Sequence, residues 1–278
     1  MSVESLPWTL LLLLAQFAAG VAALVFYVQW RGIFEAAFIK TCSWLVVLGA
    51  LMLVLTALMV DPTSSVETYR LDSELLEPVR FVAMAMLLFS VVFFYFIRRP
   101  DEQFLSVATG ATTVGLGVIS LVLLAWMVRE PTWNVLGPLL MMFSGAMILG
   151  SSMVAMVWGH WYLVNPKLPE GPLNELTLIT LGSVLFGGVV TIINAVIPVG
   201  TPITSQALLA VDLAVNPGFW LRVAIGLVFP AVLAFMAYKS STERSMMSAT
   251  GLLYIAVGSV LAGEALARGL LFVTGAPI

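Results

Sequence analysis

Apolar residues fall along this chain in eight long stretches, at about residues 8–28, 41–60, 80–97, 104–128, 133–162, 176–199, 219–238 and 246–273. Charged side chains are nearly absent from them. A helix rises about 1.5 Å per residue and needs roughly 20 apolar residues to cross the hydrocarbon core of a bilayer. The pattern predicts an all-α polytopic membrane protein of about eight transmembrane helices. Short polar connections punctuated by Pro62, Pro78, Pro100, Pro131, Pro166, Pro172 and Pro217 separate the stretches. None is long enough to fold alone, so residues 1–278 read as one membrane domain. The segment up to Pro7 has no basic n-region. Gln29-Trp30-Arg31 follows the first apolar run without a small-residue cleavage site, so that run reads as a helix, not a removed signal.

Laying Arg98 on Lys239 carries the third and fourth stretches onto the seventh and eighth without a gap. Glu102 then meets Glu243, Ala108-Thr109-Gly110 meets Ala249-Thr250-Gly251, and Gly117 meets Gly258. The earlier stretches need a different offset. An even number of spans per half would give parallel repeats, with halves at 1–132 and 133–278, two four-helix bundles and a cleft between them. Chance coincidence of common membrane residues is the plain alternative.

Composition narrows the chemistry. Hydrophobic residues make up 61% and charged residues 10%, against about 25% charged in soluble domains. One cysteine, Cys42, rules out an intrachain disulfide and a two-cysteine metal site. With His160 as the one histidine, neither a bis-histidine haem nor a histidine-rich metal centre can be built from this chain, and no metal is expected. There is no Walker-type loop, and the net charge of −3 gives no reason to expect nucleic acid.

The bias of lysine and arginine sets an expected orientation. Alternate connections hold Arg31, Lys40, Arg98, Arg99, Lys167, Lys239 and Arg244, and these should face the cytoplasm. Both termini would then lie outside, in a cytoplasmic membrane of bacterial type. The 61–77 connection, with Asp61, Glu67, Asp72, Glu74 and Glu77, would be an external acidic loop suited to a basic partner.

Ionisable groups inside the stretches cost about 2.5–3.5 kcal/mol each by insertion scales, so each needs a partner or a task. Glu264 and Arg268 lie four residues apart on one helix face, in the favourable order. Arg222 opens the seventh stretch and Arg80 the third, at the same expected depth, and Asp212 lies just before the seventh. Together they predict a polar pocket near the outer face for a quinone head group, an anion or a proton path. The alternative is interhelical ion pairs with arginines reaching to the interface. His160, in the run Trp158-Gly159-His160-Trp161-Tyr162, is the second candidate. His160, Trp161 and Tyr162 could hold a quinone at the opposite interface, with Gly159 admitting a flat ring. The alternative is an aromatic interfacial belt. Small residues Ser144, Gly145, Gly150, Ser151 and Ser152 on the fifth stretch, and Gly182, Gly187, Gly188 and Thr191 on the sixth, predict close helix packing. Gln16 and Asn194 should bond across helices, and Pro230 should free a carbonyl one turn upstream.

These features suggest a membrane subunit of an electron-transfer complex that binds quinone or lipid among other membrane subunits, more readily than a stand-alone enzyme. The layout is similar to that of the quinol-handling membrane subunits of polysulfide-reductase-type enzymes, which have two four-helix bundles and no haem; no motif of that family is matched residue by residue. A small transporter and a structural or assembly subunit are the alternatives. An intramembrane hydrolase is the weakest, since no Gly-x-Ser-x-Gly elbow and no mid-span aspartate is present.

Overall fold

A computed structural model describes residues 4–66, 69–129, 135–165, 167–196 and 213–278. Glu67, Pro131, Pro166 and Asp212 lie outside them. Over the described residues, each predicted stretch has its helix: α1 Leu6–Arg31, α2 Ala36–Met59, α3 Leu76–Phe96, α4 Gln103–Met127, α5 Leu136–Val164, α6 Gly171–Val196, α7 Pro217–Thr242 and α8 Met246–Thr274. Each is long and apolar enough to span a bilayer. Trp44, Phe81, Leu88, Phe104, Val189 and Ile192 point outward and are exposed. An outer surface this apolar is stable only against hydrocarbon, and the protein is an integral membrane protein.

Local chemistry fixes several ends. Gly32 and Gly275 close α1 and α8 in the left-handed region, at φ 65° and 72°, which glycine adopts without a Cβ clash. Asn216 caps α7, its side-chain oxygen accepting from the Gly218 amide at 2.9 Å, with Pro217 in the first turn.

The helices pack as two rings of four. In one, α1, α2, α3 and α4 follow in order and α4 closes back on α1; in the other, α5 to α8 do the same. The rings join chiefly through α1 and α5, each 67% buried over its most apolar window against 28% for α3. A Cβ on Gly20 would overlap the Ala146 carbonyl oxygen and lie 3.1 Å from the Gly150 amide nitrogen. Backbone meets backbone there, so the cleft expected between the halves is a closed seam at this depth. Close packing also holds at Gly159, whose Cβ would sit 2.8 Å from Thr250 Oγ1; the slot expected beside His160 is filled by α8. Two of the small residues of α6 behave otherwise. Around Gly182 and Gly188 nothing lies within 4 Å of a Cβ, and Gly187 alone of the three meets a neighbour, Ile148. The expectation of close packing fails at those two because spacing along a helix does not say which face meets protein.

The connection between α2 and α3 is more ordered than an open acidic loop. Ser65–Val66 pairs antiparallel with Tyr69–Arg70. Tyr69 is fully buried, packs edge-on against Phe272 at 5.7 Å, and donates its hydroxyl to the Val128 carbonyl. The Asp72 amide donates to the Met127 carbonyl at 3.1 Å. The segment is thereby pinned to the ends of α4 and α8, while Asp61, Glu74 and Glu77 stay exposed. Tyr69→Phe is expected to lower stability by about 1 kcal/mol, the net worth of one hydrogen bond; an unchanged melting temperature in detergent would show that the hydroxyl contributes nothing.

On the face opposite the termini, side chains tie helices together both between the rings and within one. Arg31 grips Glu175 with two bonds of 2.8 Å, and the Tyr27 hydroxyl donates to the same carboxylate. Arg98 donates to the Lys40 carbonyl at 2.9 Å, closing α3 onto α2, and stacks over Phe94 at 3.4 Å. Partial burial lowers its pKa below the ordinary arginine value, but a guanidinium stays charged regardless.

Candidate functional site

The most unusual chemistry in the fold begins at Pro230. Proline has no amide hydrogen, so the carbonyl of Gly226, four residues earlier, loses its regular helical donor. The chain answers with a π-helical turn over Ala224–Val228; such turns are frequent at functional sites. Arg222, one turn before, reaches forward and donates Nη1 to the Gly226 carbonyl at 3.2 Å. Ser259 on α8 donates to the neighbouring Ile225 carbonyl. Gly226 and Gly263 let α7 and α8 approach closely at this level, since a Cβ on Gly226 would lie 2.7 Å from Gly263 Cα and 2.5 Å from Arg222 Nη1.

That approach delivers Arg222 to Glu264. Arg222 Nη2 donates to Glu264 Oε1 at 2.5 Å, and Arg268 Nη2 donates to Oε2 at 2.5 Å. All three side chains are enclosed, at 2%, 0% and 1% exposure. The carboxylate therefore divides its two oxygens between two cations, and the cluster carries one positive charge in excess. Its donors are not all used: Arg222 Nε, Arg268 Nε and Arg268 Nη1 are buried with no acceptor among the described residues. Leaving a buried donor unmet costs about 1–3 kcal/mol, more for a charged group.

Gln16 completes the surroundings. Its Nε2 donates to the carbonyls of Met141 and Met142 at 3.1 and 3.3 Å, while Oε1 is buried without a donor among the described residues. A Cβ on Gly145 would lie 2.5 Å from Gln16 Nε2 and 2.8 Å from Glu264 Oε2. Residue 145 is thus a hole in the α5 surface through which the α1 amide and the α8 carboxylate come near each other. A site that offers N–H donors and one acceptor unmet among the described residues, with net positive charge inside a membrane span, is suited to a ligand bearing oxygen acceptors.

Of the residues singled out from sequence, Arg222, Glu264 and Arg268 come together. Arg80 does not join them. Its guanidinium closes the end of α2, donating to the Ala57 carbonyl at 2.9 Å and the Val60 carbonyl at 2.6 Å, with Glu77 at 2.5 Å. Equal depth placed it in the cluster on paper, but it belongs to the other ring. Asp212 lies outside the described residues. Among the described residues, His160, Trp161 and Tyr162 turn to three different neighbours. His160 is exposed with Nδ1 2.8 Å from the Tyr254 hydroxyl on α8, Trp161 donates to Glu35 at 2.7 Å, and Tyr162 turns to a groove beside α6. Sequence reasoning missed Gln16 and Gly145 as neighbours of Glu264. It noted both, one as an isolated polar group and one as packing, but their meeting depends on α1, α5 and α8 converging. Asn194 bonds across helices as expected, donating to the carbonyls of Gly137 and Pro277 at 3.2 and 2.6 Å. No protein-family model matches the chain, and no curated protein matches it in sequence.

Proposed function

We propose that this protein is a quinone-binding membrane subunit of an electron-transfer complex. The observation that carries the reading is the enclosed Arg222–Glu264–Arg268 cluster, with three guanidinium nitrogens that have no acceptor among the described residues. Quinone oxygens are acceptors, and Arg268 Nε and Nη1 with Arg222 Nε are the donors that would hold one. A bound quinone supplies two-electron redox chemistry coupled to two protons. The role of Glu264 follows from its geometry. Both of its oxygens are committed to arginines, so it fixes the two guanidinium planes and neutralises half their charge; it is a positioning residue and not a proton carrier. Gln16 Oε1 remains available to accept a hydrogen bond from a ligand hydroxyl.

The same reading places the termini and the cluster toward the outer side of a bacterial cytoplasmic membrane, from the excess of lysine and arginine at the other face. Asp61, Glu74 and Glu77 would then offer an acidic dock for a basic partner, lost at high salt. A transport function with alternating access between the halves has less support, because the backbone contact of Gly20 with Ala146 and Gly150 closes the seam where a substrate would pass.

Protein extracted gently from its native membrane should carry quinone detectable by lipid extraction and mass spectrometry. Arg268→Gln should reduce quinone occupancy roughly 10- to 100-fold, the weight of a hydrogen bond to a charged group. Quinone-free protein, or occupancy indifferent to Arg268→Gln, would remove the redox-subunit reading.

A further inference from the structure

We propose that the groove between α5, α6 and α8, on the face away from the termini, is a binding site for an anionic phospholipid. This stands independently of the redox reading and of the buried cluster, which lies toward the other face. The groove has a volume of about 880 Å³ and is walled by Leu163, Leu168, Met246 and Met247, with Lys167, Glu170 and Arg244 at its rim. It sits where α5 ends and α6 and α8 begin, the depth of lipid head groups in a bilayer.

The rim charges do not cancel. Arg244 and Glu170 form an ion pair. Lys167 is exposed and has no carboxylate within ion-pair distance among the described residues, so the groove keeps one positive charge. The pairing is built by backbone. Arg244 has φ 61°, the left-handed region that a residue with a Cβ adopts rarely and at a cost of about 1–2 kcal/mol. A bond of 2.8 Å from the Ser245 amide to the Ser240 carbonyl helps hold that turn. The turn swings the guanidinium across to the α5–α6 connection and engages the one acid of the rim, leaving Lys167 free.

Apolar walls and a free cation select the ligand. Leu163 and Met247 are 42% and 79% exposed, and at this depth they are suited to acyl chains. A soluble phosphate would use Lys167 but gain nothing from those walls. A zwitterionic lipid brings a choline for which the rim has no free carboxylate. A phosphate diester without a compensating cation, on two acyl chains, meets both requirements, as basic interhelical pockets do for acidic lipids elsewhere.

The test is native mass spectrometry of the whole protein in mild detergent, titrated with phosphatidylglycerol, phosphatidylcholine and inorganic phosphate. Phosphatidylglycerol should be retained over phosphatidylcholine by roughly fivefold or more, the weight of one basic residue at an anionic head group. Lys167→Glu should abolish the preference and Lys167→Arg should keep it, with melting temperatures of both variants near the parent because the side chain is exposed. Equal retention of the two lipids, or an undiminished preference in Lys167→Glu, would overturn the assignment. So would complete displacement of phosphatidylglycerol by millimolar phosphate, which would mark a site for the free anion.

Discussion

Glu264→Gln should destabilise this protein by about 3–5 kcal/mol, the cost of removing one partner from a buried ion pair. The substitution keeps the shape of the side chain and deletes only its charge. Two guanidinium groups at 2% and 1% exposure would then face each other across a neutral amide, within spans where an uncompensated charge is expensive. Equilibrium unfolding in mixed detergent should show a marked shift of midpoint. A shift under 1 kcal/mol would mean that water already solvates the arginines or an anionic ligand already neutralises them. The companion experiment replaces the whole cluster with apolar residues: Arg222→Leu, Glu264→Leu and Arg268→Met together. Exchange of a complete buried ionic triad for apolar groups is often neutral or stabilising. The triple variant should therefore fold, and it should lose bound quinone. A triple variant that folds and binds quinone normally would assign the cluster to architecture alone.

The second large effect is expected at the seam between the rings. Gly20→Ala adds one carbon where the Ala146 carbonyl already stands, and Gly150→Ala adds one against the backbone of Gly20. A rigid carbonyl cannot rotate away as a side chain can, so α1 and α5 must move apart along their joint surface. Overpacking costs about 1–3 kcal/mol when side chains alone must yield, and the backbone clash should place Gly20→Ala at or above that range. Gly182→Ala is the matching control. It faces open space on α6, and alanine is favoured over glycine in a helix interior by about 1 kcal/mol, so it should be neutral or stabilising. Thermal unfolding of the three variants side by side checks the contrast. Equal behaviour at Gly20 and Gly182 would show that the seam is looser than described.

The two glycine sets also show what a sequence can and cannot say. All eight spans were legible because bilayer thickness dictates a length and hydrocarbon dictates a composition, and both are properties of the chain in isolation. Glu264 and Arg268 were legible as a pair because their spacing alone places them on one helix face. Pro230 announced its freed carbonyl for a similar local reason, although not that Arg222 would take it up. Arg80 was misplaced because depth in the membrane is not proximity; two residues can share a level and stand in different rings. Gly182 and Gly188 of α6 were misread because period and face are separate facts. Glu175 escaped notice because it was counted into a connection and not into a span. Gln16 and Met141 are 125 residues apart, and nothing local to either foretells the contact.

That separation bears on how the protein is made. Half of a chain emerging from a ribosome can insert and pack only with what has already appeared, and long-range contacts must wait. α1 enters the bilayer before α5, yet α5 is the helix against which it packs most extensively. Until α5 arrives, the amide of Gln16 and the bare backbone at Gly20 have only lipid or a neighbour from their own ring to lean on. A first ring standing alone would keep an open flank along α1, and truncation before the fifth helix is expected to leave a fragment less resistant to protease than the whole chain.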